Sequence, residues 1–221
     1  MIIAIDGPSG AGKSTLGKML AKNLGLLYLD TGAMYRAVGL AVLENGTSLK
    51  DTVKIIEIAQ GAKIELVGEP ENLQVFLSGE NISNEIRTAE VGQAASIVST
   101  ISQVRKLLVE RQQELGNRGS GCVLDGRDIG TVVFPNADVK FFLTAKPEAR
   151  ARRRYEEDRA RGHNTTTYEE TLAEINQRDE RDVSREDSPL SIADDAIVID
   201  TSELDLREAF ELMLEKIGTE K

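Results

Sequence analysis

The sequence predicts an α/β fold: a five-stranded parallel sheet with helices on both faces, a small antiparallel β insert and a helical lid. Three observations predict it. Five short, continuous apolar runs are separated by stretches with helical spacing, the alternation that builds a parallel sheet covered on both sides. A glycine-rich run, "GPSGAGKS", stands between the first apolar run and the first helix. Between residues 62 and 82 the period changes to a two-residue alternation, which marks a separate antiparallel piece. At 221 residues the chain fits one domain with a real core.

Each element has its own reason. Ile2 to Ile5 is short, continuous and β-branched, and reads as a buried strand. Leu16, Met19, Leu20 and Leu24 follow at helical spacing, and Gly25 supplies the stop. Leu26 to Leu29 is a second strand, and Met34, Val38 and Val42 lie on a helix that ends near Asn45-Gly46. Ala62, Ile64 and Leu66 alternate with Lys63 and Glu65. Leu73, Val75 and Leu77 alternate likewise beyond the loop Gly68-Glu69-Pro70-Glu71-Asn72, giving a hairpin with a third strand near Ile82. Ile101, Val104, Leu108 and Leu115 restore the helical period. Three further strands are expected at Cys122 to Leu124, Val139 to Leu143 and Ala196 to Ile199. Pro147 to Arg185 is charged and mostly helical, broken by a polar loop from Gly162 to Thr167. Ser202 to Asp205 reads as a capping box that opens a last helix, with Ala209, Phe210, Met213 and Ile217 on its apolar face.

Composition removes several classes of function. No apolar run approaches the roughly 20 residues that span a bilayer, so no membrane partner is expected. Met1 runs straight into Ile2-Ile3-Ala4-Ile5 without a basic leader, and the single Cys122 cannot form an internal disulfide. Both point to the cytoplasm. Cys122 lies in an apolar run and reads as a buried structural thiol, and the lone His163 as a loop residue rather than a metal ligand. A net charge of −10 argues against nucleic-acid binding. The arginines are nonetheless clustered, six between Arg150 and Arg161 and three between Arg178 and Arg185. An acidic chain that concentrates its arginines is expected to bind a small anion. No long exposed apolar face is evident, so a monomer is expected.

The sharpest local signal is Gly7, four residues, then Gly12-Lys13-Ser14, placed after a strand and before a helix. Glycines let backbone amides turn inward around phosphate oxygens, and the helix N-terminus adds partial positive charge. Gly7, Pro8, Ser9, Gly10, Ala11, Gly12, Lys13, Ser14 and Thr15 are therefore the expected nucleotide-phosphate site. Lys13 supplies a full charge and the Ser14 hydroxyl a magnesium ligand. Switches, ATPases, helicases and small-molecule kinases share such a loop, so it does not name a reaction. The Asn-Lys-x-Asp element of guanine-selective switches is not found.

Elsewhere the residues leave choices open. In "VLDGRDIGTVVF", Asp125, Arg127 and Asp128 could hold a metal, supply a base, bind a ligand or only form a polar turn. In "DTGAMYR", Thr31 and Arg36 fit an anion, or are a helix cap and a solvated arginine. In "RDERDVSR", Arg178, Arg181, Asp182 and Arg185 share a helix face, as a binding surface or as a salt-bridge ladder. "RARRRYEEDRARG" is a lid that delivers arginine, or a solvated helix balanced by Glu156, Glu157 and Asp158.

The set resolves by resemblance. "IDGPSGAGKST", "LDTGAMYRA", "VLDGRDIGTVVFPNAD" and "RDERDVSRED" stand in the order and spacing of bacterial cytidylate kinases, and the chain resembles that family from Ile2 to about Asp200. The resemblance implies a phosphate-loop nucleoside-monophosphate kinase. Its parts would be a core at 1–30, 99–147 and 186–221, a monophosphate-binding subdomain at 31–98 with its β insert at about 62–87, and a lid at about 148–185. It implies ATP as donor, CMP and dCMP as acceptors, and Mg2+. It places Thr31 and Arg36 on the acceptor phosphate, Arg178 and Asp182 on the ribose, and Arg185 on the transferring and acceptor phosphates. Ser96 and Arg105 would face the base, although alone they read as an ordinary serine and a helix-surface arginine. Arg154 and Arg161 are the lid candidates for the moving phosphoryl group. Asp125 would orient magnesium through water, Asp128 would accept the cytosine amine, and Arg127 either touches phosphate or braces Asp128. Within the same class the acceptor could be UMP or another small anion. A phosphate-loop ATPase of another class is disfavoured by the acidic balance.

Overall fold

The computed structural model describes residues 1–160, 162 and 166–219. Two sequence expectations, Arg161 as a lid arginine and His163 as a loop residue, lie outside the described residues. The chain opens with β1 (Ile2–Asp6), then α1 (Lys13–Leu24), β2 (Leu27–Asp30), α2 (Thr31–Glu44) and α3 (Thr52–Gly61). The insert follows as β3 (Ile64–Val67), β4 (Gln74–Leu77) and β5 (Glu80–Asn81), and the chain returns through α4 (Ala89–Val98) and α5 (Ser102–Gly116). Then come β6 (Cys122–Asp125), β7 (Val139–Thr144), α6 (Pro147–Ala160), α7 (Tyr168–Ser184), β8 (Ile197–Asp200) and α8 (Leu206–Thr219).

The main sheet has the order β2-β6-β1-β7-β8, and every pairing in it is parallel. Its central strands are mostly apolar because both faces are covered. Ile3, Ile5, Val123, Phe141 and Leu143 pack with Leu16, Leu20 and Met213 on one side. Ala4, Leu124 and Cys122 pack with Ile129, Val133 and Phe134 on the other. A further core joins α2, α3, α4 and α5 to the insert through Met34, Val38, Ile55, Ile64, Val75 and Ile86. Cys122 is buried and donates to the Gly116 carbonyl at 3.2 Å, and burial pushes its thiol up to about 11, as befits a structural cysteine.

The five strands, the insert hairpin and its third strand match the sequence expectation. The helices α3 and α4 went unassigned, since their short apolar stretches carry no long period. The last helix is capped one turn later than expected. Asp205 and Glu208, not Ser202 and Asp205, exchange the reciprocal bonds, at 2.9 Å and 2.8 Å. Ser202 instead turns back on Asp200, with N and Oγ both donating to Oδ1. In α7 a true capping box, Thr167 with Glu170, fixes the entry of the helix that carries the second arginine cluster.

Candidate active site

The parallel register brings three carboxylates to the C-terminal ends of adjacent strands, where ligands gather in open α/β sheets: Asp30 on β2, Asp125 on β6 and Asp6 on β1. The glycine-rich loop leaves β1 beside them. Gly7, at φ +142°, lies against β7, and a Cβ there would sit 1.9 Å from the Leu143 carbonyl oxygen. Gly12, at φ +90°, is the left-handed cap of α1 and offers no side chain, so the first amides of the helix keep their hydrogen-bonding capacity for a ligand.

A cleft of about 1140 Å³ opens here, lined by the loop from Ser9 to Thr15 and by Arg36, Asp125, Arg127, Arg154 and Arg178. Lys13 is buried in the loop, and its ammonium group donates to the Pro8 carbonyl at 2.7 Å. Burial, then the nearby Arg127 guanidinium, hold its pKa well below the usual lysine range. Ser14 Oγ donates to Asp125 Oδ2 at 2.8 Å, and the Tyr28 hydroxyl to Asp125 Oδ1 at 2.7 Å. Burial and the facing Asp30 push the Asp125 carboxyl up to about 6. Two oxygen donors of the hard-cation type, Ser14 and Asp125, thus meet at the mouth of the phosphate loop.

Opposite them stands a wall of guanidinium groups. Arg36 donates to the Ile86 carbonyl at 2.8 Å. Burial, followed by Arg178 and Arg154, drives its pKa down to about 9. Burial and Arg127 lower Arg178 to about 10, and Arg178 Nε is buried without a hydrogen-bond partner among the described residues. Arg154 is held at the cleft by Asp158 at 2.9 Å. Half-buried cations that repel one another are costly to hold together unless an anion joins them. An anionic ligand is therefore the occupant this wall favours.

Behind the cleft lies a buried ion network. Asp128 is buried and paired with Arg105, and with Arg185 Nη2 at 3.6 Å, while Arg105 Nε and Arg185 Nη2 have no hydrogen-bond partner among the described residues. Arg105 is only 3% exposed, donates to the Ser99 carbonyl, and lies over the Tyr35 ring, so its reading as a helix-surface residue is corrected. Burial opposes the charges of Arg127 and Asp182, but their mutual bond at 2.7 Å outweighs it, so Arg127 is raised and Asp182 lowered. Ser96, on α4, is buried and accepts from Arg181 at 3.0 Å.

Of the expected site residues, then, the loop, Asp125, Arg36, Arg127, Arg154 and Arg178 face one cleft. Ser96, Arg105, Asp128, Asp182 and Arg185 are buried beside it, bonded to one another and to neighbouring groups. Thr31 Oγ1 is turned into the sheet, donating to the Asp125 carbonyl at 2.6 Å, while Asp30 caps α2 through Ala33 N.

Four residues at or beside the cleft carry no site expectation from the sequence. Arg150 ties α6 to the phosphate loop by donating to the Ser9 carbonyl at 3.0 Å, and to α7 by pairing with Asp179 at 2.7 Å. Arg153 and Thr201 bond each other at the far end of the cleft. Tyr28 braces Asp125 from a position that reads only as an apolar strand residue. Arg150 and Ala151 are the buried residues of α6, but a helix so uniformly charged has no apolar period that would mark them in the sequence.

Residues 3–219 match a family model described as cytidylate kinase. A cytidylate kinase of Caldanaerobacter subterraneus subsp. tengcongensis is 52% identical over 215 residues, covering 97% of this chain and 93% of the relative. A cytidylate kinase of Bacillus subtilis is 46% identical over 215 residues, covering 97% and 95%. Among solved structures, a shikimate kinase from Bacteroides thetaiotaomicron matches with a TM-score of 0.50 and 15% identity, over 99% of this chain and 97% of its own. An uncharacterized protein from Eubacterium ventriosum matches with a TM-score of 0.52 and 14% identity, over 99% and 98%. These last two are likenesses of fold.

Proposed function

The chain belongs to the cytidylate kinase family, and we propose that its cleft carries the γ-phosphoryl group of ATP to the phosphate of CMP or dCMP. The enzyme is a nucleoside-monophosphate kinase, and its products are the diphosphate and ADP, a step of pyrimidine nucleotide metabolism. The observation that carries the site assignment is the meeting of the phosphate loop with Arg36, Arg127, Arg154 and Arg178 across one cleft.

The acceptor phosphate is largely ionised near neutral pH, with a second pKa of about 6, so no side chain has to remove a proton from it. Catalysis then rests on positioning, charge neutralisation and exclusion of water, the competing acceptor. Lys13 and the loop amides hold the donor phosphates, and Arg36 and Arg178 hold the acceptor side. Arg154 and Arg185 complete the charge on the phosphoryl group in transit. Arg178 and Asp182 take the ribose, with Thr31 placing the start of α2 beside the acceptor phosphate. Ser96, Arg105 and Asp128 read the base. Asp128 accepts from the cytosine amine, and a uracil carbonyl in its place is rejected as a polar mismatch. The 2.7 Å bond from Arg127 goes to Asp182 and not to Asp128, so the carboxylate it braces is the one assigned to the ribose. Ser14 and Asp125 fit a magnesium ion by their donor chemistry: Ser14 would hold it directly and Asp125 through water. The ion would supply charge neutralisation at the donor phosphates.

For the three parts of the chain, core, monophosphate subdomain 31–98 and lid 148–185, the support is the common apolar cluster that α2, α3 and α4 form with the insert, a cluster that Val104 and Leu108 of α5 join from the core. A monomeric, cytoplasmic enzyme without nucleic-acid partners belongs to the same reading. It is supported by the net charge of −10 and by there being no helix among the described residues long and apolar enough to cross a membrane.

A coupled assay of ADP formation with CMP, dCMP, UMP, AMP or no acceptor tests the reading. CMP and dCMP should be best. AMP as the best acceptor, or ADP released without any acceptor, would overturn it.

A further inference from the structure

One buried carboxylate has no part in the chemistry above. Asp6 ends β1, one residue before Gly7, and is only 4% exposed. Its Oδ1 accepts from the Ile129 amide at 2.8 Å, and its Oδ2 from the Gly130 amide at 2.7 Å. Those two residues open the single π-helical turn Ile129–Val133, which begins directly after Asp128. Within that turn, bonding starts later: Val132 N and Val133 N donate to the Asp128 carbonyl at 2.9 Å and 3.1 Å, and Phe134 N to the Ile129 carbonyl at 2.7 Å. The first amides of a helical turn have no partner inside it. Here both are satisfied by a side chain 123 and 124 residues away in sequence.

The arrangement is specific to a carboxylate. Two N–H groups need two acceptors, and fixing both sets the distance and the rotation of the turn. An asparagine offers one acceptor and presents its NH2 group to the other amide. The same strand also holds the near side of the loop, since Gly126 N donates to the Ile5 carbonyl at 3.0 Å. Arg127 and Asp128 therefore hang between two anchors on consecutive residues of β1, and the next residue of that strand begins the phosphate loop. Arg105 and Arg185 grip the carboxyl end of Asp128, whereas its backbone is placed from β1.

We infer that Asp6 is a positioning residue for recognition of the acceptor base: its paired hydrogen bonds to the Ile129 and Gly130 amides fix Asp128 relative to the phosphate loop. The inference rests on Asp128 being the group that reads the base. It makes the choice of acceptor depend on a residue that touches neither nucleotide, because a carboxylate displaced by a fraction of an ångström no longer meets the cytosine amine squarely.

The test is steady-state kinetics of full-length wild type, Asp6→Asn, Gly130→Ala and Asp128→Ala, with CMP and UMP at saturating ATP and with ATP varied at saturating CMP. Asp6→Asn should raise the KM for CMP and lower the CMP-over-UMP ratio of kcat/KM, each by about tenfold, with the KM for ATP within about twofold of wild type. A purely structural role would lower the active fraction, reducing kcat equally for CMP and UMP and leaving KM and the ratio untouched; that result overturns the inference. Gly130→Ala is the milder second variant, since its methyl group would lie 3.4 Å from Asp6 Oδ2 and 3.0 Å from the Lys140 side chain. It decides the matter if Asp6→Asn does not fold: a lowered ratio supports the inference and an unchanged ratio overturns it. A wild type without CMP preference, or an Asp128→Ala variant that keeps it, brings down the reading of Asp128 and this inference with it. A preference lost in Asp128→Ala but intact in the other two brings down the role of Asp6 alone.

Discussion

At the phosphate loop, nine consecutive residues supply both the amides and the one ammonium group that an anion needs, and the supporting glycines are set by local backbone geometry. At the acceptor end, Arg36, Ser96, Arg105, Asp128 and Asp182 come from α2, α4, α5, the turn after β6 and α7, and Arg185 from just beyond α7. Much of this second group is already paired off among itself. A backbone cradle can stand empty with its donors available, because each amide carries only a partial charge. Full buried charges cannot stand alone in that way, so the acceptor end holds its groups in mutual pairs that the substrate must enter and rearrange.

That contrast can be broken most forcefully at Asp128. Asp128→Ala leaves Arg105 and Arg185 buried without their shared counter-charge, and the free energy of unfolding should fall by about 3–5 kcal/mol. Urea denaturation measures it, and a loss below about 1 kcal/mol would mean that Asp128 does not hold the two guanidinium groups in place.

At the other end, removal of a charge should act on rate and not on stability. Lys13→Met should reduce kcat by about 10²–10³, the scale of losing one preorganised charge contact, with the affinity for CMP changed by less than about threefold. Its urea midpoint should not fall, because the lysine is buried near Arg127 and its charge is disfavoured where it lies. An equal loss of CMP affinity and turnover would count against the assigned role.

Between the two ends sits Asp6, whose carboxyl burial pushes up from 3.8 to about 6, with Asp128 adding to the shift and the Gly130 and Ile129 amides and Lys13 opposing it. A raised carboxyl pKa means that the folded state binds the proton more tightly than the unfolded state. Stability from this group is therefore greatest below about pH 4 and is lost as pH rises to about 6, by up to about 3 kcal/mol. Asp6→Asn should remove that slope. Unfolding of both proteins between pH 4 and 7 checks it, and parallel curves would refute the assignment.

The smallest effect is expected on the surface. Lys22 on α1 meets Glu71 of the insert at 2.7 Å, with side chains 61% and 58% exposed. Lys22→Ala should change stability by less than about 1 kcal/mol and leave kcat unaltered. A larger change would show that insert and core are coupled at this contact.

The strands, the hairpin and the phosphate loop were legible because their signals are local. Ile3 and Ile5 are apolar for the same reason wherever the sheet places them, and Gly12 is needed by its own backbone angle. Helices α3 and α4 were not, because short apolar stretches carry too little period to stand out. Arg105 was read as a surface residue because its counter-charge, Asp128, lies 23 residues away, and helical spacing says nothing about such a partner. The same holds for Arg127 with Asp182, 55 residues apart. The resemblance named these residues, but their grouping into a cationic wall on the cleft and a paired network behind it was visible only in the folded chain. By itself the sequence determined the sheet, the cradle and the chemistry of phosphate transfer, each written in neighbouring residues. Only the tertiary structure decided which charges are paired, which await a ligand, and that Asp6 holds the turn behind Asp128, because burial and long-range pairing are properties of the assembled fold.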